Sequence, residues 1–400
     1  MNKLIIFIIG LSMLASCGHP GSNSTDNNAS SYNQAKADSL GIPHGNKLSA
    51  AMQRAMKWKN HSSDWYFEYK VTPLKGDFAY EKGVVRRDPS SIIKENNLYY
   101  VWYSRSVGPT QGFAGNIEND KVFPWDRCDI WYATSKDGIT WKEQGPAVKR
   151  GAKGKYDDRS VFTAEIMKWN NKYYLCYQTM KSPYTVRSKN AIGMAWSNSI
   201  DGPWTKLDKP ILKPSDNGIW EGTEDNRFQV IKKGDFDSHK VHDPCILPFK
   251  GKFYLYYKGE RMGEDITWGG REIKHGVAIS DNPLGPYVKS EYNPISNSGH
   301  EICVWPYHGG ICSLITTDGP EKNTLQWSPD GINFQIMSVL KGTPEAIGLN
   351  RSLESEESPT GMLKWGLTHV YNNSNYQSIM RFETWTVHHH TAKGEIGDNN

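Results

Sequence analysis

Short β-forming runs separated by polar turns follow one another along most of this chain, and they recur in one order: a polar or acidic residue, an apolar run, a tight turn and an aromatic run. The fullest copy is His242-Asp243-Pro244-Cys245-Ile246-Leu247-Pro248, a turn at Gly251-Lys252, and Phe253 to Tyr257. Arg87-Asp88-Pro89-Ser90 leads in the same way into Ile92-Ile93, a turn at Glu95-Asn96-Asn97 and Leu98 to Tyr103, so Asp88 and Asp243 hold one place in two copies. A third copy runs from Phe162-Thr163-Ala164-Glu165 through Asn170-Asn171 to Gln178, and a fourth from His300-Glu301-Ile302 through Gly309-Gly310 to Ile315. A degenerate fifth places Pro359-Thr360 ahead of Met362 to Leu367. Four units close on a hairpin signature: Ser135 to Trp141, Ser199 to Trp204, Ser280 to Tyr287 and Ser328 to Phe334. Asp-Gly between β-forming runs is a strong hairpin signal. Repeats of this size, each of several short strands, predict the blades of an all-β propeller.

Two further runs, Trp65 to Tyr69 and Ser378 to Val387, are predicted to complete one blade from both termini, because closure removes exposed sheet edges. Ahead of them the period changes. Between Asn46 and Trp58, Leu48, Ala51, Met52 and Ala55 fall at helical spacing behind a cap candidate, Asn46 or Ser49. The predicted organisation is therefore a leader at 1–16, a flexible tether at 17–35, a helical region at 36–62, a propeller at 63–390 and a polar tail at 391–400.

Composition refines this picture. Lys3, the apolar stretch Leu4 to Leu14 and the small residues before Cys17 form an export signal, and Leu14-Ala15-Ser16-Cys17 resembles a bacterial lipobox with Cys17 as the acylated residue. The expectation is an exported protein held on a bacterial membrane through a lipid anchor, with Gly18 to Asn33 as the tether. The formal charge of +4 is interspersed with acids, so nothing points to a nucleic-acid partner. The cysteines after Cys17 lack a Cys-x-x-Cys pair and lie mostly in strand patterns, which reads as buried small hydrophobes.

In a propeller the first strand of each blade lines the central channel, so Asp88, Thr163 with Glu165, Asp243, and His300 with Glu301 converge at one mouth. Converging carboxylates drive each other's proton affinities apart, and glycoside hydrolysis needs one group to activate water and another to protonate the leaving oxygen. Asp137, Asp201 and Asp330 sit in the hairpin signature and read as structural.

Arg87-Asp88-Pro89-Ser90, Ser160 to Glu165, Phe236 to Pro244 and Ser298 to Pro306 closely resemble glycoside hydrolase family 117, the α-1,3-L-neoagarooligosaccharide hydrolases of agar-consuming bacteria. The resemblance covers about residues 36 to 390. It implies a five-bladed β-propeller behind a short helical region through which subunits dimerise by exchange, and a neoagaro-oligosaccharide substrate. Carried over by position, it implies Asp88 as the base that activates water and Asp243 as the carboxylate that orients substrate and tunes proton affinities. Glu301 and His300 match the family's Glu and neighbouring His. We take His300 as the acid and Glu301 as its partner, since a histidine near its natural pKa donates at neutral pH; the reverse assignment stays open. Arg87, which flanks the base, is expected to bind substrate, and Thr163, Glu165, Gln178 and His242 match positions that bind the terminal sugar. His390, in the run His388-His389-His390, reaches a neighbouring subunit's site if the tail is exchanged. The implied mechanism is inversion, with base and acid about 6.5–9.5 Å apart. No cofactor is required on this reading, although oxygen and imidazole ligands near the carboxylates suit a divalent cation. Two rivals remain: an arabinanase or β-xylosidase of similar architecture, and a glycan-binding surface lipoprotein that does not cut. Sialidases are disfavoured because their hairpin motif carries one more residue between Asp and Gly.

Overall fold

The computed structural model describes residues 64–267, 270–353, 357–371 and 377–387, all within one compact unit, Lys57–Asn400. Cys17, the helical region at 36–62, His390 and the tail lie outside the described residues. Within them helix is limited to two 3-10 turns, Gly112–Ala114 and Gly361–Leu363, and the rest is strand, turn and loop.

The strands form five blades. Blade I holds Val84–Arg87, Leu98–Val107, Asp129–Ser135 and Thr140–Val148; blade II holds Ser160–Trp169, Lys172–Met180, Asn190–Ser197 and Thr205–Lys206. Blade III is Lys240–Phe249, Lys252–Glu260, Ile273–Ser280 and Val288–Lys289, and blade IV is Ile302–Tyr307, Gly310–Ile315, Thr324–Ser328 and Gln335–Val339. Blade V joins Trp365–Tyr371 and Gln377–Thr386 to the N-terminal strand Phe67–Pro73, with Phe67 opposite Thr386 and Pro73 opposite Met380. The closure expected from Trp65 to Tyr69 and Ser378 to Val387 is therefore present.

The aromatic second strands are buried on both faces; eight of nine residues of Lys252–Glu260 are buried. Both faces are covered because each apolar cluster is shared by two neighbouring blades. Trp102, Tyr173 and Tyr177 lie in the I/II cluster, Cys176, Leu255 and Tyr257 in II/III, and Tyr256 with Val304 in III/IV. Trp305 with Phe67 and Phe382 fill IV/V, and Trp141 with Leu367 fill V/I. Five clusters at five junctions describe a closed ring. Cys128, Cys176, Cys245, Cys303 and Cys312 are free and buried in it.

The hairpin signature is structural, as read. Asp137 Oδ1 accepts the backbone N–H groups of Ile139 (2.8 Å) and Thr140 (2.7 Å), and Asp330 repeats this with Ile332 and Asn333 at 2.8 Å each. The Thr140 and Ile139 amides hold the Asp137 carboxyl down at about 2. The fifth repeat needs a correction. Trp365–Tyr371 is the second strand of blade V, and the inner segment is Ala346 to Asn350, which bridges Gly348 to Leu367. Ala346 stands where the other repeats carry a polar residue, so no side chain marks the position.

Candidate active site

The site is built from one backbone feature repeated around the ring. Asp88 (φ 50°), Thr163 (φ 47°), Asp243 (φ 50°) and Ala346 (φ 45°) take the left-handed conformation within or directly beside the inner strands. In blades II and III this is a bulge: Phe162 pairs with Gln178 and Ala164 with Tyr177, and His242 pairs with Lys258 and Cys245 with Tyr256. The extra residue leaves the ladder and is free to serve the axis. Asp tolerates this conformation better than most residues, and Pro89 and Pro244 leave no N–H unpaired where the ladder breaks. At the axis the five blades meet around one small chamber, to which they contribute Asp88, Thr163, Asp243, Glu301 and Ala346.

Asp88 is 2% exposed. Its Oδ2 accepts Arg87 Nε at 2.7 Å, Ser104 Oγ at 3.1 Å and Thr163 Oγ1 at 3.2 Å. Its Oδ1 accepts Arg87 Nη2 at 2.9 Å and lies 3.0 Å from His369 Nδ1. Burial opposes ionisation, yet Arg87 and His369 outweigh it and hold this carboxyl well below the usual carboxylate range. Asp243 is ion-paired with Lys258, but burial dominates and, with Glu301 nearby, raises its carboxyl. Glu301 Oε1 lies 2.8 Å from His300 Nδ1; burial is again opposed, chiefly by His300, and Glu301 is held well below the usual range.

A cavity of about 330 Å³ opens beside these groups and is lined by Arg87, Thr163, Gln178, His242, Asp243, His300 and Glu301, a size that suits a small ligand. One part of its lining is aromatic: Phe113, Phe123, Trp125, Phe162 and Tyr184, with Arg87 over the Trp125 ring at 5.1 Å. Another part is charged: Arg227, Lys240, Lys258, Glu260 and Arg271. Gln178 Nε2 is 3.3 Å from His242 Nδ1. Burial, then Lys258, depresses His242 so that its ring is neutral; accepting at Nδ1 puts its proton on Nε2. That Nε2, Gln178 Oε1 and Asn190 Oδ1 are buried without a hydrogen-bond partner among the described residues, and all three residues line the cavity.

Sequence reasoning brought Asp88, Arg87, Thr163, Gln178, His242, Asp243, His300 and Glu301 to this one place. Glu165 borders the small chamber with Asp88 and Asp243 but does not line the larger cavity, and its oxygens are held by protein groups. Its oxygens go to Ser91 N (2.8 Å) and Oγ (2.6 Å) and to Arg351 Nη2 (2.9 Å), which also lies 3.4 Å from Val304 O. This buried ion pair ties blades I, II, IV and V together at the axis. Lys258, His369, Ser104, Asn190 and the aromatic lining were missed. A signal existed for Lys258: Lys258-Gly259-Glu260 ends a strand otherwise buried on both faces.

Two sets of donors have the spacing of a metal site, Asp88 with Glu301 and His369, and Asp243 with His300 and Glu301, each within 4.8 Å. The residues fit an ion poorly. Each set already holds a protein cation against its aspartate, Arg87 in one and Lys258 in the other, so a divalent ion would face a fixed positive charge at contact distance.

The sequence profile of Glycosyl hydrolases family 43 matches residues 83–222. Among solved structures, Zg3597, a family 117 glycoside hydrolase produced by the marine bacterium Zobellia galactanivorans, is 32% identical, with 84% of this chain and 99% of that chain covered and a TM-score of 0.65. CoXyl43, a GH43 β-xylosidase/α-arabinofuranosidase from a compost microbial metagenome, is 13% identical over 81% of this chain and 96% of its own, with a TM-score of 0.50. A further solved glycoside hydrolase is 12% identical over 84% of this chain and 96% of its own, with a TM-score of 0.51. At such identities these last two are similar in fold alone. No curated protein sequence matches.

Proposed function

The chain belongs to glycoside hydrolase family 117, and from that premise we propose that it releases terminal 3,6-anhydro-L-galactose from neoagarobiose and neoagaro-oligosaccharides by cleaving the α-1,3 bond with inversion. The observation that carries this reading is the meeting of Asp88, Asp243 and Glu301 from three blades beside one cavity whose lining is partly aromatic. An anhydro sugar has spent two hydroxyl groups on its internal bridge. It therefore presents more apolar surface and fewer hydrogen-bonding groups than galactose, which suits Trp125, Phe123 and Tyr184 beside the three unpartnered atoms Gln178 Oε1, Asn190 Oδ1 and His242 Nε2.

In this mechanism a water gives its proton to Asp88 as its oxygen attacks the anomeric carbon. The bond from that carbon to galactose O3 breaks, and O3 takes a proton from His300. The resting geometry favours His300 over Glu301 as the acid. Glu301, held well below the usual carboxylate range, is ionised and has no proton to give, and its oxygen lies within 4.8 Å of Asp88, less than the roughly 6.5–9.5 Å that inversion requires. As a carboxylate against His300 Nδ1 it instead orients and stabilises the imidazolium. Asp243, raised by burial, is the second candidate for the acid.

The lipid anchor at Cys17, subunit exchange through 36–62 and the reach of His390 into a neighbouring site belong to the same proposal. It predicts acylated, dimeric protein, checked by mass spectrometry of Cys17 and by sedimentation. The deciding experiment follows the full chain with neoagarobiose by proton NMR. The expected products are galactose and 3,6-anhydrogalactose with the first-formed anomer inverted. Intact neoagarobiose together with pentose release from arabinan or xylan would replace this reading by a family 43-like one.

A further inference from the structure

One charged cluster at the cavity carries a local excess of cations that a neutral sugar does not resolve. Among the described residues, Arg227, Lys240 and Arg271 meet only two carboxylates. Glu260 accepts Arg227 Nη2 at 2.6 Å, Lys240 Nζ at 2.8 Å and Arg271 Nη2 at 3.0 Å. Glu264 lies 2.8 Å from Arg227 Nη2 and accepts Arg271 Nε at 2.8 Å. Three cations against two anions leave one positive charge unmatched. The two histidines beside Glu260, His239 at 3.3 Å and His242 at 3.8 Å, are depressed by burial and then by Lys240 and Lys258 respectively, and stay neutral. Burial and Glu260 raise the Glu264 carboxyl, and burial lowers the Lys240 ammonium. The other cavity cations do not share in it, since Arg87 is taken by Asp88 and Lys258 by Asp243. Donors are also to spare: Arg227 Nε is buried with no acceptor among the described residues.

An unmatched charge drawn partly out of water is costly until an anion arrives. Guanidinium groups beside an ammonium are the donor set that binds tetrahedral or planar oxyanions. We infer that Arg227, Lys240 and Arg271 form a subsite for an anionic substituent, a sulfate ester or a uronate carboxylate, on the sugar chain held in the cavity, so that the preferred substrate is an acidic oligosaccharide. This rests on the sugar-binding reading of the cavity and extends it to substrate charge.

The test is titration calorimetry on the full chain carrying Asp88→Asn, which suppresses turnover. Three probes are compared at low ionic strength: neoagarobiose, neoagarobiose sulfated on galactose, and an analogue with galacturonate in place of galactose. At least one anionic probe is expected to bind tenfold or more tightly than the neutral one, and whichever gains identifies the oxyanion. The advantage should shrink as salt is raised and fall at least threefold on adding Arg271→Gln, chosen because Arg271 is the most exposed of the three cations, at 36%. This ratio is taken within one protein preparation, so loss of folded material cancels. Neutral affinity equal to or above both anionic affinities overturns the inference, as does an advantage that Arg271→Gln leaves untouched. Turnover of neoagarobiose by the wild type is scored separately: turnover without anion preference sinks only this inference, and anion preference without turnover sinks only the proposed reaction.

Discussion

At the scale of single residues the site is a set of carboxylates tuned by different neighbours. Asp88 is held low by Arg87 and His369 against the pull of burial, so it stays ionised well into acid but is a reluctant proton acceptor. Arg87→Met removes the guanidinium and lets burial raise the Asp88 carboxyl. The acid limb of kcat/KM should then move to higher pH, and the pH–rate profile of the variant checks it; an unmoved or lowered limb would show that Asp88 does not set that limb. The same linkage has a stability side. A depressed carboxyl contributes stability above its unfolded value of about 3.9 and loses it as pH falls below that, so Arg87→Met should also flatten the loss of stability below about pH 4. Acid and base are separated by leaving-group ability. His300→Gln should lower kcat on neoagarobiose by about 10²–10⁴-fold but largely spare an aryl glycoside whose phenolate leaves unaided, whereas Asp88→Asn should lose comparable activity on both. Spared aryl-glycoside cleavage in Asp243→Asn, and not in His300→Gln, would move the acid to Asp243.

The elements explain why some of this was legible in the sequence and some was not. Asp88-Pro89 and Asp243-Pro244 announce their equivalence because residue type and left-handed backbone coincide, whereas Ala346 occupies the same left-handed position silently. Glu165 was carried over with Thr163 from the family pattern, and nothing local in the sequence announces its pairing with Arg351, 186 positions away. Lys258 meets Asp243 across the hairpin of its own blade, whereas His369 was hidden because the second strand of blade V meets Asp88 of blade I only after the ring closes. Blade IV reaches the axis differently, through Gly299 at φ 113°. A Cβ there would lie 2.1 Å from His275 Cε1, and His275 is fully buried. Gly299→Ala must therefore displace either the ring or the strand that carries His300 and Glu301. The expected cost is about 1–3 kcal/mol of stability, with kcat falling more than KM changes; urea midpoints and steady-state kinetics measure both. Unaltered kcat would mean that the acid dyad does not depend on this approach.

At the scale of the molecule, what holds the catalytic groups together is that no blade owns its core. The five-copy repeat and the terminal strands were readable from hydrophobic pattern and turn signals, but which blades share a cluster is fixed only by closure, and closure depends on Phe67–Pro73 pairing with Gln377–Thr386. Phe67 is 1% exposed within the cluster shared by blades IV and V, on a strand that lines none of the catalytic cavity. Phe67→Ala should cost about 3–5 kcal/mol. Because blade V also carries His369 and its neighbouring segment carries Arg351, partners of Asp88 and Glu165, the loss cannot stay local. Unfolding in urea should remain a single transition at a lower midpoint, with amide exchange accelerated in the second strands of all five blades together. If exchange rose only in Phe67–Pro73 and Gln377–Thr386 while Lys252–Glu260 kept its protection, blade V would be opening alone, and the ring could not be what aligns the three carboxylates.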